Sequence, residues 1–310
     1  MQTSVSQLVK GFGIVAILLA TVGCGSGDKA SNAGPSFHKQ LETARQEPRP
    51  EQRARRLLQI AQGQHAAKDS RGAGETMAEA SRAAQEVDEP LDRTQLFTQL
   101  ASAYARMNER MDARRALREA AKSVGRIEEL ETRAMQFTTI ADVEGYRLKD
   151  TDVATDILRE AETLVEQIDD PVGQVNVLAA TGKVYSKIKN QAKAQELFDQ
   201  AQSRALALED PAKRANSLAT IAGAMIIVNQ RDQATRVLEE AATSARNIED
   251  EYGRAFVLAN IAERLVKAEQ PARASELMQE AEQTAEQIKD SALRQQAQEK
   301  LAAVRAKLPR

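Results

Sequence analysis

The sequence predicts an all-α protein built as a stack of antiparallel helix pairs. Three observations carry that expectation. A unit of about 40 residues recurs, with apolar residues spaced by three and four along each half of the unit. The composition favours helix: Ala, Glu, Gln, Arg and Leu dominate, with 8 Pro in 310 residues. Helix-stopping residues fall at fixed places between the halves and between the units.

Residues 1–23 differ from everything after them. Lys10 is the only charged residue before Asp28, and an apolar run from Phe12 to Val22 ends at Gly23-Cys24. The run falls short of the roughly 20 apolar residues that a membrane span takes, and its length suits the core of a signal peptide. A small residue followed by Cys at the end of such a core resembles a bacterial lipoprotein signal. The resemblance implies cleavage before Cys24 and a diacylglycerol on its sulfur. Thr21 departs from the pattern, where Leu is usual. An uncleaved signal anchor, or ordinary cleavage near the same point, are the other readings. Cys24 is the only cysteine, so no intrachain disulfide can form. Gly25 follows it in place of the Asp that holds some lipoproteins at the inner membrane, a hint toward the outer one. Residues 24–50 are rich in Gly, Ser, Ala and Pro and read as a flexible tether, with one or two helical turns between Phe37 and Arg45.

The repeats occupy residues 51–310. The first copy has Arg53, Leu57, Ile60 and Ala61, then Ala73, Met77 and Ala80. The second has Arg93, Phe97, Leu100 and Tyr104, then Ala113, Leu117 and Ala120. The third has Arg133, Phe137 and Ile140, then Ala154, Leu158 and Ala161. Leu178, Gly182 and Tyr185, then Ala194, Phe198 and Ala201, make the fourth. The fifth and sixth follow with Leu218 and Ile221, Leu238 and Ala241, then Leu258 and Ile261, Met278 and Ala281. Arg294, Leu301 and Ala302 close the chain as a half-copy, a polar-faced capping helix over Ala292–Leu308. The seventh residue after the recurring Arg falls at Ile60, Leu100, Ile140, Thr181, Ile221, Ile261 and Leu301. One residue is therefore inserted in the third hairpin, and the turn at Lys149-Asp150-Thr151 is the expected place. Asn108, Asn190, Asn229 and Pro271 mark turns within copies. Glu89-Pro90, Asp170-Pro171 and Asp210-Pro211 mark junctions, where the acid can cap the next helix and Pro fits its first turn. No hairpin buries its faces alone, so stacking is expected to make one solenoid with one continuous core.

These residues resemble the tetratricopeptide repeat, whose first helix carries a large residue, Leu, a small residue and Tyr, and whose second carries Ala, a large residue and Ala. The fourth and second copies match it best, with Thr181 standing where Leu is usual. The period is longer than the family's, and Trp is absent. The additional residues are expected to extend the second helix to Val87, Ile127, Ile168, Leu208, Ile248 and Ile288. The resemblance implies a right-handed superhelix of about six pairs plus the capping helix, whose first helices line a groove for peptide ligands.

Catalysis has little to work with. The only histidines are His38 and His65, and no phosphate loop or nucleophile elbow is present. No metal site, cofactor or enzymatic activity is expected. Net charge is −2 with 28% charged residues, which argues against a nucleic-acid surface. Arg93, Arg133, Arg214, Arg254 and Arg294 each follow an acid by four, a spacing worth about 0.3–0.5 kcal/mol as exposed helical ion pairs. They read either as inter-repeat clasps or as an arginine ladder for an acidic ligand, with clasps favoured. Specificity must come from residues that do not recur. The candidates are Asn176, Lys183, Asn216, Ile226, Ile227 and Phe256. Ile226, Ile227 and Phe256 form either an apolar anchor in the groove or part of the buried core. The expected function is a lipid-anchored, non-enzymatic scaffold in a bacterial envelope, facing the periplasm, which binds a peptide or protein partner. A structural subunit of an envelope assembly is the first alternative. A glycan-binding lipoprotein is the second, disfavoured because sugar sites use aromatic platforms and only 3% of residues are aromatic.

Overall fold

The structure, a computed structural model, describes residues 36–307. The signal-like run, Cys24 and the first part of the expected tether lie outside the described residues. Fourteen α-helices and one π-helical turn make up the fold, with no strand among the described residues.

Helix α1 (Phe37–Arg45) precedes six pairs: α2 (Pro50–Ala66) with α3 (Ser70–Gln85), α4 (Pro90–Arg106) with α5 (Arg110–Val124), and α6 (Leu130–Asp142) with α7 (Thr151–Val165). Next come α8 (Pro171–Lys187) with α9 (Gln191–Leu206), α10 (Pro211–Ile227) with α11 (Arg231–Arg246), and α12 (Glu251–Lys267) with α13 (Pro271–Glu286). Helix α14 (Ser291–Arg305) closes the stack. The first helix of each pair, here the A helix, packs on its own B helix and on the A helices before and after it. Each B helix packs on the A helix that follows. The fold is an α-solenoid. The recurring alanines of the B helices, from Ala80 to Ala281, are fully buried, because close approach of two helices leaves no room for more than a methyl group.

Helix α1 falls inside the stretch read from sequence as tether. It docks instead: Ala44 is buried, Phe37 and Leu41 pack on the first repeats, and Arg45 donates to both oxygens of Glu79 at 2.8 and 2.6 Å. Residues 37–50 therefore belong with the helical stack.

The acid and the Arg at each junction have separate jobs. Glu129, Asp210 and Asp290 accept hydrogen bonds from the first backbone amides of α6, α10 and α14, as N-caps do. The Arg does not bond this acid. Arg133, Arg214, Arg254 and Arg294 reach back six residues and donate to the carbonyls of Ile127, Leu208, Ile248 and Ile288, at 2.5–3.1 Å. Gln174 does the same to Ile168 in the one copy that lacks Arg. The B helices end before these residues, at Val124, Val165, Leu206, Arg246 and Glu286. The additional residues of the period thus do not lengthen the B helix. They form a connector whose apolar side chain plugs the core, as Ile127, Ile168 and Ile288 do at 5% exposure. Its carbonyl, orphaned by the end of the helix, is satisfied by the next A helix. Four of the five arginines are thus junction clasps by a hydrogen bond rather than by the expected ion pair, while Arg93 donates to the carbonyl of Gln85 at 3.0 Å and pairs with Glu119 at 3.8 Å.

The inserted residue of the third copy sits inside a helix and not in the turn. Residues Val143–Arg147 form a π-helical turn at the end of α6. Every hairpin turn carries one left-handed residue: Lys68, Asn108, Lys149, Lys189, Asn229 and Glu269. In the regular copies the next amide bonds a carbonyl five residues back, as Glu109 does to Tyr104. Asp150 bonds the carbonyl of Glu144, six back. The turn therefore keeps its form and the wider helical turn absorbs the extra residue.

The insertion also marks a seam. The buried apolar residues form two clusters, one from Ala44 to Leu148 and one from Ala134 to Leu301, and half-buried Phe137 and Ile157 pack on both. The expected single core is thus two cores joined within the third repeat. Around the wide turn, Ile140, Val143 and Leu148 belong to the first cluster, while Ala134, Ala141 and Ala154 belong to the second.

Candidate partner-binding face

Because A helices pack side by side, residues at one repeat position line up across the stack. Asn176, Asn216 and Phe256 share one such position, five residues before Thr181, Ile221 and Ile261. Asn176 is half-buried, and its Nδ2 donates to Glu131 Oε1 across α6 and α8 at 3.0 Å. Asn216 is exposed and makes no side-chain hydrogen bond. Together they line a groove of about 350 Å³ between α8 and α10, with Lys213 and Ser217 in its wall. Phe256 is 47% exposed, and the Lys300 ammonium of α14 stands 5.5 Å from its ring centre. That ammonium also donates to Tyr252 Oη at 2.7 Å.

Lys183, Ile226 and Ile227 lie on the C-terminal halves of A helices. The four apolar residues Met225–Val228 divide: Met225 is buried, Ile226 and Val228 are half-buried against the core, and Ile227 is 63% exposed. Ile227 does not join Phe256 in one patch. Its counterpart in α12 is Lys267, about 16 Å along the helix from Phe256 at roughly 1.5 Å per residue. The six candidates therefore form two groups, an amide-bearing one and a cationic-apolar one.

Lys183 is half-buried and has no ion pair. Burial, and then repulsion from Lys187, lower its pKa, and Asp142 opposes this. Asp142 is itself held by the Lys187 ammonium at 2.8 Å. Lys187 and Lys149 also stand over the Tyr146 ring, at 5.3 and 4.6 Å from its centre.

Two residues of this face were not singled out from sequence. Arg264 lies over Gly223, where even a methyl group would come within 2.5 Å of its Nη1. Its Nε is buried without a partner, and burial lowers the pKa of its guanidinium. The signal was present: the matching positions in the other copies are Gly63, Ala103, Val143, Val184 and Ala224. Ser217 is 2% exposed, with a hydroxyl that has no partner, at a position filled by Val177 and Val257 in the adjacent copies. Its small side chain leaves space beside the groove of Asn176 and Asn216.

Among the described residues, no group of three or more His, Cys, Asp or Glu is placed to hold a metal ion. No helix among them is long and apolar enough to cross a membrane.

Fold and face together define a class, an α-solenoid of paired helices with an open A-helix surface. No protein-family model matches the chain, and no curated protein matches it in sequence. Among solved structures the chain is similar to Ton1535 from Thermococcus onnurineus NA1, at 15% identity over 85% of this chain and 94% of that one, with a TM-score of 0.39. It is also similar to a Rap protein complexed with Competence and Sporulation Factor, at 13% identity over 88% of this chain and 80% of that one, with a TM-score of 0.37. At these scores neither neighbour bears on what this chain binds.

Proposed function

We propose that this protein is a non-enzymatic scaffold that holds a segment of a partner protein against its A-helix face, tethered to a bacterial envelope membrane through lipidated Cys24. One observation carries the binding half of this reading. Three residues of that face, Asn216, Lys183 and Ile227, make no side-chain hydrogen bond or ion pair and are not part of the buried core. The recurring residues are consumed by caps, clasps and the core. A preformed surface with unspent hydrogen-bonding groups and an exposed isoleucine binds without a large ordering cost. The anchoring half rests on the sequence around Gly23-Cys24.

The test is capture from a detergent extract of envelope membranes. Lys183→Glu with Ile227→Asp is expected to lose the partner that the wild type retains, with the helical circular-dichroism signal unchanged. Ile227 is the residue to change, since Ile226 is half-buried and its replacement would disturb the core. Undiminished capture by the double variant would count against the reading. A fatty-acid analogue is expected to label the wild type and not Cys24→Ser, and equal labelling would sink the anchor.

A second reading, a structural subunit joined end to end with other proteins, rests on α14. That helix buries only Ala297 and Leu301 and leaves Leu293 45% exposed.

A further inference from the structure

The C-terminal halves of the A helices carry an excess of positive charge. Across residues 100–107, 140–148, 181–188, 221–228 and 261–268 there are six cations, Arg106, Arg147, Lys183, Lys187, Arg264 and Lys267. They face three acids, Asp142, Glu144 and Glu263. Glu144 is turned inward and is 7% exposed. Asp142 is taken by Lys187, and Glu263 by Lys267 at 3.3 Å. Arg106, Arg147, Lys183 and Arg264 are left without an ion pair. The whole chain has a net charge of −2, so this is a local feature and not a reflection of composition. The N-terminal halves of the same helices mix both signs, as at Glu131 and Arg133 or Glu251 and Arg254.

We infer that this half of the face docks an acidic segment of a partner polypeptide, with carboxylates meeting Arg106, Arg147, Lys183 and Arg264, and apolar side chains meeting Tyr146 and Ile227. The inference rests on the scaffold reading above and names the chemistry of the partner. Two features favour a polypeptide over other polyanions. Lys183 and Arg264 are half-buried, within reach of a carboxylate on a flexible side chain but recessed from a phosphate fixed in a bilayer surface. The cations are also interleaved with exposed apolar groups, Tyr146 at 47% and Ile227 at 63%, which a bare polyanion cannot use. Neighbouring helices lie roughly 8–10 Å apart, which about three residues of extended chain span. An acid at every third position therefore meets one A helix after another. Burial draws down the pKa of Lys183 and Arg264, so a carboxylate would regain for these groups the interaction that desolvation removed.

The experiment uses the purified chain and a fluorescein-labelled peptide with Glu at every third position and Leu between, followed by anisotropy. A peptide with Lys in place of Glu is the control. The acidic peptide is expected to bind and the Lys peptide not, with affinity falling as salt rises. Lys183→Gln and Arg106→Gln are each expected to weaken binding about tenfold, the loss of one charge-assisted contact. Arg159→Gln, on the opposite surface, should leave binding unchanged. Equal binding of both peptides, or indifference to both groove variants, would overturn the inference. So would equal binding of phosphatidylglycerol-containing vesicles or an oligothymidine with the same dependence on Lys183 and Arg106, since either would make the face a general polyanion surface. A neutral or basic partner captured through Ile227 would remove the charge assignment while leaving the scaffold reading intact.

Discussion

Phe198→Ala is expected to destabilise the protein by about 3–5 kcal/mol, the usual cost of emptying a fully buried aromatic site. Phe198 is 0% exposed and lies between α8 and α9. It is matched to Gly182. A methyl group there would stand 3.3 Å from two of its ring atoms and 3.2 Å from the carbonyl oxygen of Ala194. Other copies divide the same volume differently, as Ala101 with Leu117, Ala222 with Leu238, and Ala262 with Met278. The pair explains why a glycine is tolerated in mid-helix at a propensity cost of about 1 kcal/mol. Phe198→Leu alone should cost roughly 1–1.5 kcal/mol. Adding Gly182→Ala should return most of it by filling the void and favouring the helix. Gly182→Ala alone, against the phenyl ring, should not stabilise. Urea unfolding of the four proteins measures this as a double-mutant cycle. Additive effects would show that the two residues do not share one site.

The second large effect is expected at the seam. Gly145 lies in the π-helical turn, packed under α7 and the end of α8. A methyl group at this position would come within 2.4 Å of Ile188 Cγ2 and 2.8 Å of the Ala154 methyl. Gly145→Ala should cost about 2–3 kcal/mol through overpacking, since Ala154 sits on a helix backbone that cannot yield. Ile188→Ala removes one of the two clashing groups, so the double variant should lose less than the sum of the single ones. The π-helical turn packs on α4 as well as on α7 and α8, and so touches elements of both core clusters. With the seam strained, unfolding followed by circular dichroism should broaden or split, as repeat arrays do when one interface weakens. A single sharp transition at unchanged urea midpoint would contradict this account of the third repeat.

Much of the fold was legible because its causes are local. Apolar spacing placed the helices, and the acid-Pro pairs placed their starts. The alanines placed the close approaches. The seven register residues from Ile60 to Leu301 are all buried, Thr181 included. Three of the corrected features have different physical reasons. Arg and acid four apart satisfy a helical ion-pair pattern, but at a junction the acid has backbone amides to cap and the Arg has an orphaned carbonyl within reach, and both bonds satisfy groups that would otherwise be unpaired. The insertion looked like a turn event because turns ordinarily absorb length. Nothing in Asp142-Val143-Glu144-Gly145 marks a wide helical turn by propensity, although Gly145 is what lets it pack. The helical turns at Phe37–Arg45 are legible in the sequence, but their docking is not, because it depends on Phe37 and Leu41 meeting a surface formed by residues far along the chain.

The binding face was less legible. Asn176, Lys183 and Asn216 stood out because they vary between copies. Arg264 breaks a column of small and apolar residues, and Ser217 stands between Val177 and Val257 of the adjacent copies, so aligning single positions across the copies points to both. The division between Ile227 and Phe256 needed the geometry of the stack, since both are apolar and outward-facing in sequence. Their separation along the helix follows only when register is converted to distance.

Site-resolved crosslinking in intact cells tests the central claim most directly. A photoreactive amino acid is placed singly at Ile227 and Asn216 on the A helices, and at Arg159 and Arg236 on the B helices. The account predicts one common protein adduct from Ile227 and Asn216 and none from Arg159 or Arg236. Adducts formed at the B-helix positions, with Ile227 and Asn216 silent, would place the interaction on the other surface and contradict it.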